Sequence, residues 1–171
     1  SIETGWRHTC ALQRNRQVRC WGNDSSGQTS IPPELPEIIA MTSGDFHNCA
    51  IGIAQDVHCW GSNDFGQISV PVDARRARAI VAGHGHTCMV NDDGAVACWG
   101  SNEHGETTVP NTLSEVVALA AGRYHTCALQ AGGEVRCWGE NLSGQSDVPT
   151  GLGDVVEISA GTAHTCAVLA L

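Results

Sequence analysis

Five histidines stand at one recurring place in this chain, His8, His47, His86, His125 and His164, and each is followed two residues later by a cysteine. In four copies a second cysteine lies ten residues beyond the first, giving Cys10 and Cys20, Cys49 and Cys59, Cys88 and Cys98, and Cys127 and Cys137; Cys166 has no such mate. Imidazole and thiolate at this spacing allow two chemistries. They could share a zinc ion of mixed ligands, or the cysteines could pair as disulfides in an oxidising compartment and leave histidine a structural hydrogen bond. No other constellation emerges. Gly-x-Ser-x-Gly and Walker patterns are missing, and the acids are scattered over non-equivalent loops, so no carboxylate pair is positioned for acid–base work. The chain is expected not to be an enzyme, with no cofactor and no metal.

The elements that must position these residues are written out almost four and a half times. Aligned on the opening glycine, the copies start at Gly5, Gly44, Gly83, Gly122 and Gly161, always 39 residues apart. A fixed period of this size signals a repeat architecture, here one repeat domain over 1–171 with units 5–43, 44–82, 83–121, 122–160 and a partial 161–171.

Each unit opens with a short apolar run such as Val116-Val117-Ala118-Leu119, which reads as a first strand. The His-Thr-Cys-Ala-Leu run is a second strand, and Glu134-Val135-Arg136-Cys137-Trp138 a third, joined by three residues with a late glycine, Ala131-Gly132-Gly133. That loop suits a type I turn closed by a left-handed residue. The register then sets Leu129 opposite Val135 and Cys127 opposite Cys137, at a non-hydrogen-bonded site where facing Cα atoms lie about 4.5 Å apart. A disulfide spans roughly that distance. The predicted pairs are therefore Cys10–Cys20, Cys49–Cys59, Cys88–Cys98 and Cys127–Cys137, with Cys166 unpaired or intermolecular. A Trp-Gly-x-Asn-x-x-Gly-Gln loop follows, then a predicted fourth strand through Ser69-Val70 and Thr108-Val109, stopped by proline. Four short antiparallel strands per unit make one blade of an all-β propeller.

In such a ring, equivalent histidines of different blades lie far apart, so each is expected to bond a backbone carbonyl beside its turn. Trp21, Trp60, Trp99 and Trp138 are expected to fill the gaps between blades.

The segments AGxxHTCAL, GxVxCWG and NxxGQ resemble the repeats of the regulator of chromosome condensation superfamily of β-propellers. The likeness recurs in every copy. The cysteine pair is similar to that of a subset found in secreted bacterial proteins and in the ectodomains of crinkly-type plant receptor kinases. The resemblance implies protein binding without chemistry, in settings that include nucleotide exchange on a small GTPase, chromatin docking and β-lactamase inhibition. Family rings usually have about seven blades, so the chain is expected to be part of a larger ring or to assemble with others.

Composition narrows this further. Eighteen acids face nine basic residues, all arginine, for a formal charge of -9. Binding to a phosphate backbone needs a basic surface, and the single cluster, Arg75, Arg76 and Arg78, reads as a solvated loop, so neither nucleic acid nor membrane insertion is expected. No apolar run approaches the roughly 20 residues that span a bilayer. A chain opening on serine, with nine cysteines and two glycosylation triplets at Asn23 and Asn141, reads as an excised piece of an extracellular or secreted precursor.

Recognition would sit on the face where the first-to-second and third-to-fourth strand connections emerge, because loops on a rigid scaffold carry binding. There the copies differ, and they offer Trp6, Arg7, Asp45, Phe46, Phe65, His84, His104, Arg123 and Tyr124 as candidate partner-binding residues. Aromatics and arginine are the types enriched at interface hot spots. The reading is an extracellular binding module for a protein partner. A self-assembling structural subunit, forming a swapped ring or filament, and a glycan-binding lectin are the alternatives.

Overall fold

The computed structural model describes residues 1–170, and all of its regular elements are strands. They form five antiparallel sheets in chain order. The first holds β1 (Ile2–Thr4), β2 (His8–Leu12) and β3 (Val18–Gly22); the second β4 (Ile38–Ser43), β5 (His47–Gly52) and β6 (Val57–Gly61). The third holds β7 (Ala77–Ala82), β8 (His86–Asn91) and β9 (Val96–Gly100), and the fourth β10 (Val116–Ala121), β11 (His125–Gln130) and β12 (Val135–Gly139). The fifth has two strands, β13 (Val155–Ala160) and β14 (Thr165–Leu169).

The hairpin register is the expected one. Leu129 faces Val135, Cys127 faces Cys137, and the same pairing recurs in the first three sheets. All four predicted disulfides are formed, with Cα separations of 4.0 to 4.1 Å. Their sulfurs are bonded to one another, which ends the mixed zinc reading for these cysteines. The turn also closes as expected: Gly94 and Gly133 adopt φ of 78° and 79°, and Arg16 and Gln55 hold that left-handed place in the first two units.

The predicted fourth strand does not form. Downstream of β6 the backbone is satisfied by successive turns, with Ser69 N donating to Gly66 O at 3.0 Å, Val70 N to Ile68 O at 3.0 Å and Ala74 N to Pro71 O at 3.0 Å. The Asn63 side chain also takes the Ile68 N–H at 3.1 Å, so the donors a sheet edge would need are spent locally. Val70 and Val109 still contribute apolar surface, each packing into the cluster beside its sheet.

Successive sheets stack face to face through small apolar clusters. Ile51 of one sheet meets Ile80, Met89 and Trp99 of the next, and Val90 meets Leu119, Ala128 and Trp138. Near the axis the contact is tighter. A side chain at Gly44 would place its Cβ 2.3 Å from His47 Cε1 and 2.4 Å from the Gly83 carbonyl, and Gly5, Gly83 and Gly122 are confined in the same way. The repeat glycine is required there because the imidazole of its own unit and the backbone of the next occupy the space of a side chain. Backbone bonds complete the seam, with Trp6 N donating to Asp45 O, Asp45 N to Gly83 O and His84 N to Arg123 O at 3.1 to 3.3 Å.

Candidate binding face

At that inner seam sit the repeated histidines. His8, His47, His86 and His125 are buried, and each Nε2 reaches the next unit: Asn48 Oδ1, Thr87 Oγ1, Thr126 Oγ1 and Thr165 Oγ1 at 2.9 to 3.0 Å. The expected backbone carbonyl is therefore not their partner. It belongs to the threonine instead, because Thr87 Oγ1 donates its proton to Gln67 O at 3.0 Å and Thr126 Oγ1 to Glu106 O at 3.0 Å. A hydroxyl that has given its proton can only accept, so the histidine carries its hydrogen on Nε2. Nδ1 of each of the four is left without a hydrogen-bond partner. Burial, helped by the neighbouring imidazoles, pushes His47 down to about 3. Burial likewise takes His86 down to about 4 against the opposing pull of Glu106, and lowers His125. His47 and His86 are neutral structural groups. Among the described residues no cluster of three or more His, Cys, Asp or Glu could hold a metal ion.

The nine candidate partner-binding residues lie together at the outer end of this seam. Trp6 meets Phe46 edge-on with centroids 5.3 Å apart, Phe46 meets His84 at 5.9 Å, and His84 meets Tyr124 at 5.4 Å. Four consecutive units thus contribute one residue each to an unbroken aromatic track. Residues from the other loop of the preceding unit join it, Phe65 against His84 at 6.0 Å and His104 against Tyr124 at 4.8 Å. Both connections therefore do emerge on one face.

Charge runs along the same track. The Arg7 guanidinium lies 4.3 Å over the Trp6 ring and that of Arg123 5.1 Å from the Tyr124 ring, both within cation–π range. The Asp45 carboxylate accepts from His84 Nδ1 at 2.7 Å and lies 3.8 Å from Arg123 Nε, acting as the internal counter-ion of the track. Trp6, Arg7, Phe65, His104 and Arg123 are exposed, while Asp45, Phe46, His84 and Tyr124 are half-buried beneath them.

The track rims a cavity of about 540 Å³ on the axis, which all five units line. Sequence reasoning missed its wall, formed by Thr4, Ser43, Ala82, Ala121 and Ala160. The signal was present, since these are the residues just before each repeat glycine and all are small. Also missed was Glu140, whose carboxylate lies 3.9 Å from His104 Nδ1 and adds a second acidic group to the track. The basic cluster is dispersed: Arg75 bonds Val72 O, Arg76 pairs with Asp93, and Arg78 bonds Val116 O.

Repeated antiparallel sheets set radially about one axial cavity, with a loop face on the rim, define a β-propeller architecture. The chain belongs to the regulator of chromosome condensation (RCC1) repeat family, whose pattern matches residues 1–28, 38–67, 77–106 and 116–145. Among solved structures it is similar to the ectodomain of the receptor kinase CR4 from Physcomitrella patens, at 26% identity and a TM-score of 0.80, covering 99% of this chain and 50% of that one. It is similar also to the CRINKLY WD40 ectodomain of the receptor kinase ACR4 from Arabidopsis thaliana, at 25% identity and a TM-score of 0.78, covering 99% of this chain and 60% of that one. Prp20p from Saccharomyces cerevisiae, described by its binding to Gsp1p and histones, shares the fold at 18% identity and a TM-score of 0.84, over 98% of this chain and 55% of its own. The chain thus spans about half to three fifths of the length of these structures. No curated protein matches it in sequence.

Proposed function

We propose that this chain is a non-enzymatic extracellular binding module that takes a protein partner on its aromatic loop face. The observation that carries the reading is the unbroken contact series Trp6–Phe46–His84–Tyr124, flanked by Arg7 and Arg123 and drawn from four successive units. Nothing in the packing of the sheets requires aromatics at these turn positions, where the fifth unit carries Thr162 and Ala163. Aromatic and arginine side chains held rigid by their neighbours lose little entropy on binding, which is what makes such groups hot spots. Four disulfides and the likeness to two receptor ectodomains support the extracellular placement. The formal charge of -9 weighs against a nucleic-acid partner.

A photo-crosslinking residue placed at Arg7 or Phe65 should capture a specific protein from extracellular material. The double variant Trp6→Ala/Tyr124→Ala should lose that capture while keeping the melting temperature of the parent. Capture that survives the double variant would overturn the reading, and a large fall in stability without loss of capture would make the track a packing feature.

A further inference from the structure

The arginines of the loop face show how this surface holds a cation. The Arg123 guanidinium lies 5.1 Å from the Tyr124 ring centroid, with its Nε 3.8 Å from the Asp45 carboxylate, so a ring and an acid share it. Arg7 lies over the Trp6 ring at 4.3 Å. A ring face attracts a guanidinium through its quadrupole, and a carboxylate alongside adds Coulomb attraction.

Asp64 and Phe65 bring the same two groups together and, among the described residues, no arginine lies on them. The Asp64 carboxylate is exposed and accepts from Ser62 Oγ at 2.8 Å. Phe65 is 43% exposed. Its ring rests on the backbone of Gly85, where a Cβ would lie 2.7 Å from Phe65 Cδ2. The other units carry Arg7, Phe46, Tyr124 and Ala163 at that place, so the absent side chain is what lets the ring lie there. Units two and three, which hold Phe65 and Gly85, each have a described neighbour on both sides, so the exposure of this ring does not come from either end of the chain. The surroundings agree in sign. Asp24, Asp64 and Glu103 are exposed on successive loops, Asp45 and Glu140 lie beneath the track, and Arg7 and Arg123 are already engaged by rings. With a formal charge of -9, the whole chain draws cations toward it.

We propose that the segment taken by this face is basic, and that one of its arginine side chains seats on the exposed ring of Phe65 with Asp64 as its counter-ion. The proposal rests on the loop face being the binding surface and names the chemistry of what binds there. Arginine suits the seat better than lysine, because a planar guanidinium stacks on a ring and still offers N–H donors to a carboxylate at its edge. An acidic polymer is disfavoured, since it would meet the carboxylates of Asp64 and Glu103 on the same rim as the two arginines.

The probe is a capped hexapeptide of alternating glycine and arginine, titrated into the intact oxidised protein and followed by NMR at the Phe65 ring protons. Its analogues carry lysine, citrulline or glutamate in place of arginine. The arginine peptide should shift the Phe65 signals and bind about fivefold or more tightly than the citrulline peptide, with lysine between them and glutamate not binding. Its affinity should fall as sodium chloride rises from about 0.05 to 0.5 M. Asp64→Asn and Phe65→Leu should each weaken it about fivefold. Gly85→Ala should weaken it likewise at an unchanged melting temperature, because the new methyl group meets only the Phe65 side chain, which can turn aside. A citrulline or glutamate peptide that binds as tightly as the arginine one, no shift at Phe65 by about 5 mM peptide, or full affinity in Asp64→Asn and Gly85→Ala would overturn the proposal. A partner captured by a crosslinker at Arg7 that saturating arginine peptide fails to displace would leave the binding face standing and overturn its basic chemistry.

Discussion

The Nε2 atom of His47 lies 2.9 Å from Oγ1 of Thr87, forty residues along the chain and in the next sheet. Because Thr87 spends its own proton on Gln67 O, one hydroxyl ties the histidine of one unit, the second strand of the next and the loop between them. The link repeats through Thr126 and Thr165, and Asn48 substitutes for threonine in the first gap. It adds to the apolar clusters, the backbone bonds and the indole–carbonyl bonds that join the units.

Thr87→Val tests this link with little change of volume. The substitution strands a buried His47 N–H and removes one donor from Gln67 O. An unsatisfied buried donor costs about 1–3 kcal/mol, so a loss of about 2 kcal/mol is expected in denaturant unfolding. Thr87→Ser should restore most of it. A Val variant as stable as the parent would show that the hydrogen bond contributes little beyond packing.

The same histidines make the fold acid-sensitive. His47 and His86 are held near 3 and 4 when folded, against 6.5 for a free imidazole. Between those values the unfolded chain binds protons that the folded chain refuses, so stability rises with pH there. Their contribution is complete above pH 6.5 and diminishes as pH falls toward 4. At pH 5 each should have cost about 2 kcal/mol. Chemical denaturation from pH 7.5 to 4.5 should trace this fall, and His47→Gln should flatten part of it. An identical pH slope in parent and variant would contradict the assignment.

What was legible in the sequence follows from how local each relationship is. The hairpin register and the four disulfides depend on ten residues and one turn, and came out intact. The shared face of Trp6, Phe46, His84 and Tyr124 was legible because the two-residue turn between the repeat glycine and the repeat histidine must lie on one side in every unit. The fourth strand was misread because Ser69-Val70 before Pro71 has strand character, while the competing Asn63 side chain sits six residues back in a loop whose hydrogen bonds have no pattern signature. The histidine's partner was misplaced because it lies in the next unit, although a threonine or asparagine follows every repeated histidine. The axial wall was overlooked because small residues at Ala82, Ala121 and Ala160 say little until the axis is known.

Trp21 and Trp99 occupy the same repeat position, yet Trp21 is 53% exposed and Trp99 7%. Among the described residues the Trp21 indole packs into no apolar cluster and donates to no carbonyl, unlike that of Trp99. Trp99→Ala should cost about 3–5 kcal/mol, the usual range for emptying a core aromatic site. Trp21→Ala should cost well under half of that. Comparable losses would mean that something covers Trp21 in solution.

Gly83 and Gly132 give the sharpest contrast between two residues of one type. A methyl group at Gly83 would lie 2.2 Å from His86 Cε1 and 2.5 Å from the Gly122 carbonyl, whereas one at Gly132 meets nothing within 4 Å. Of the two close neighbours of Gly83, the carbonyl is backbone of the adjacent unit and cannot step aside without opening the seam that carries the histidine link. Gly83→Ala is therefore expected to destabilise by about 3 kcal/mol or more, through overpacking and loss of the His86–Thr126 bond together. Gly132→Ala removes freedom from the unfolded chain at a site with room to spare, and should be neutral or stabilise by about 0.5 kcal/mol. Thermal unfolding of the two variants side by side reads the difference directly. A tolerated Gly83→Ala would mean that the units can separate at the axis, and the axial cavity would then have no fixed wall.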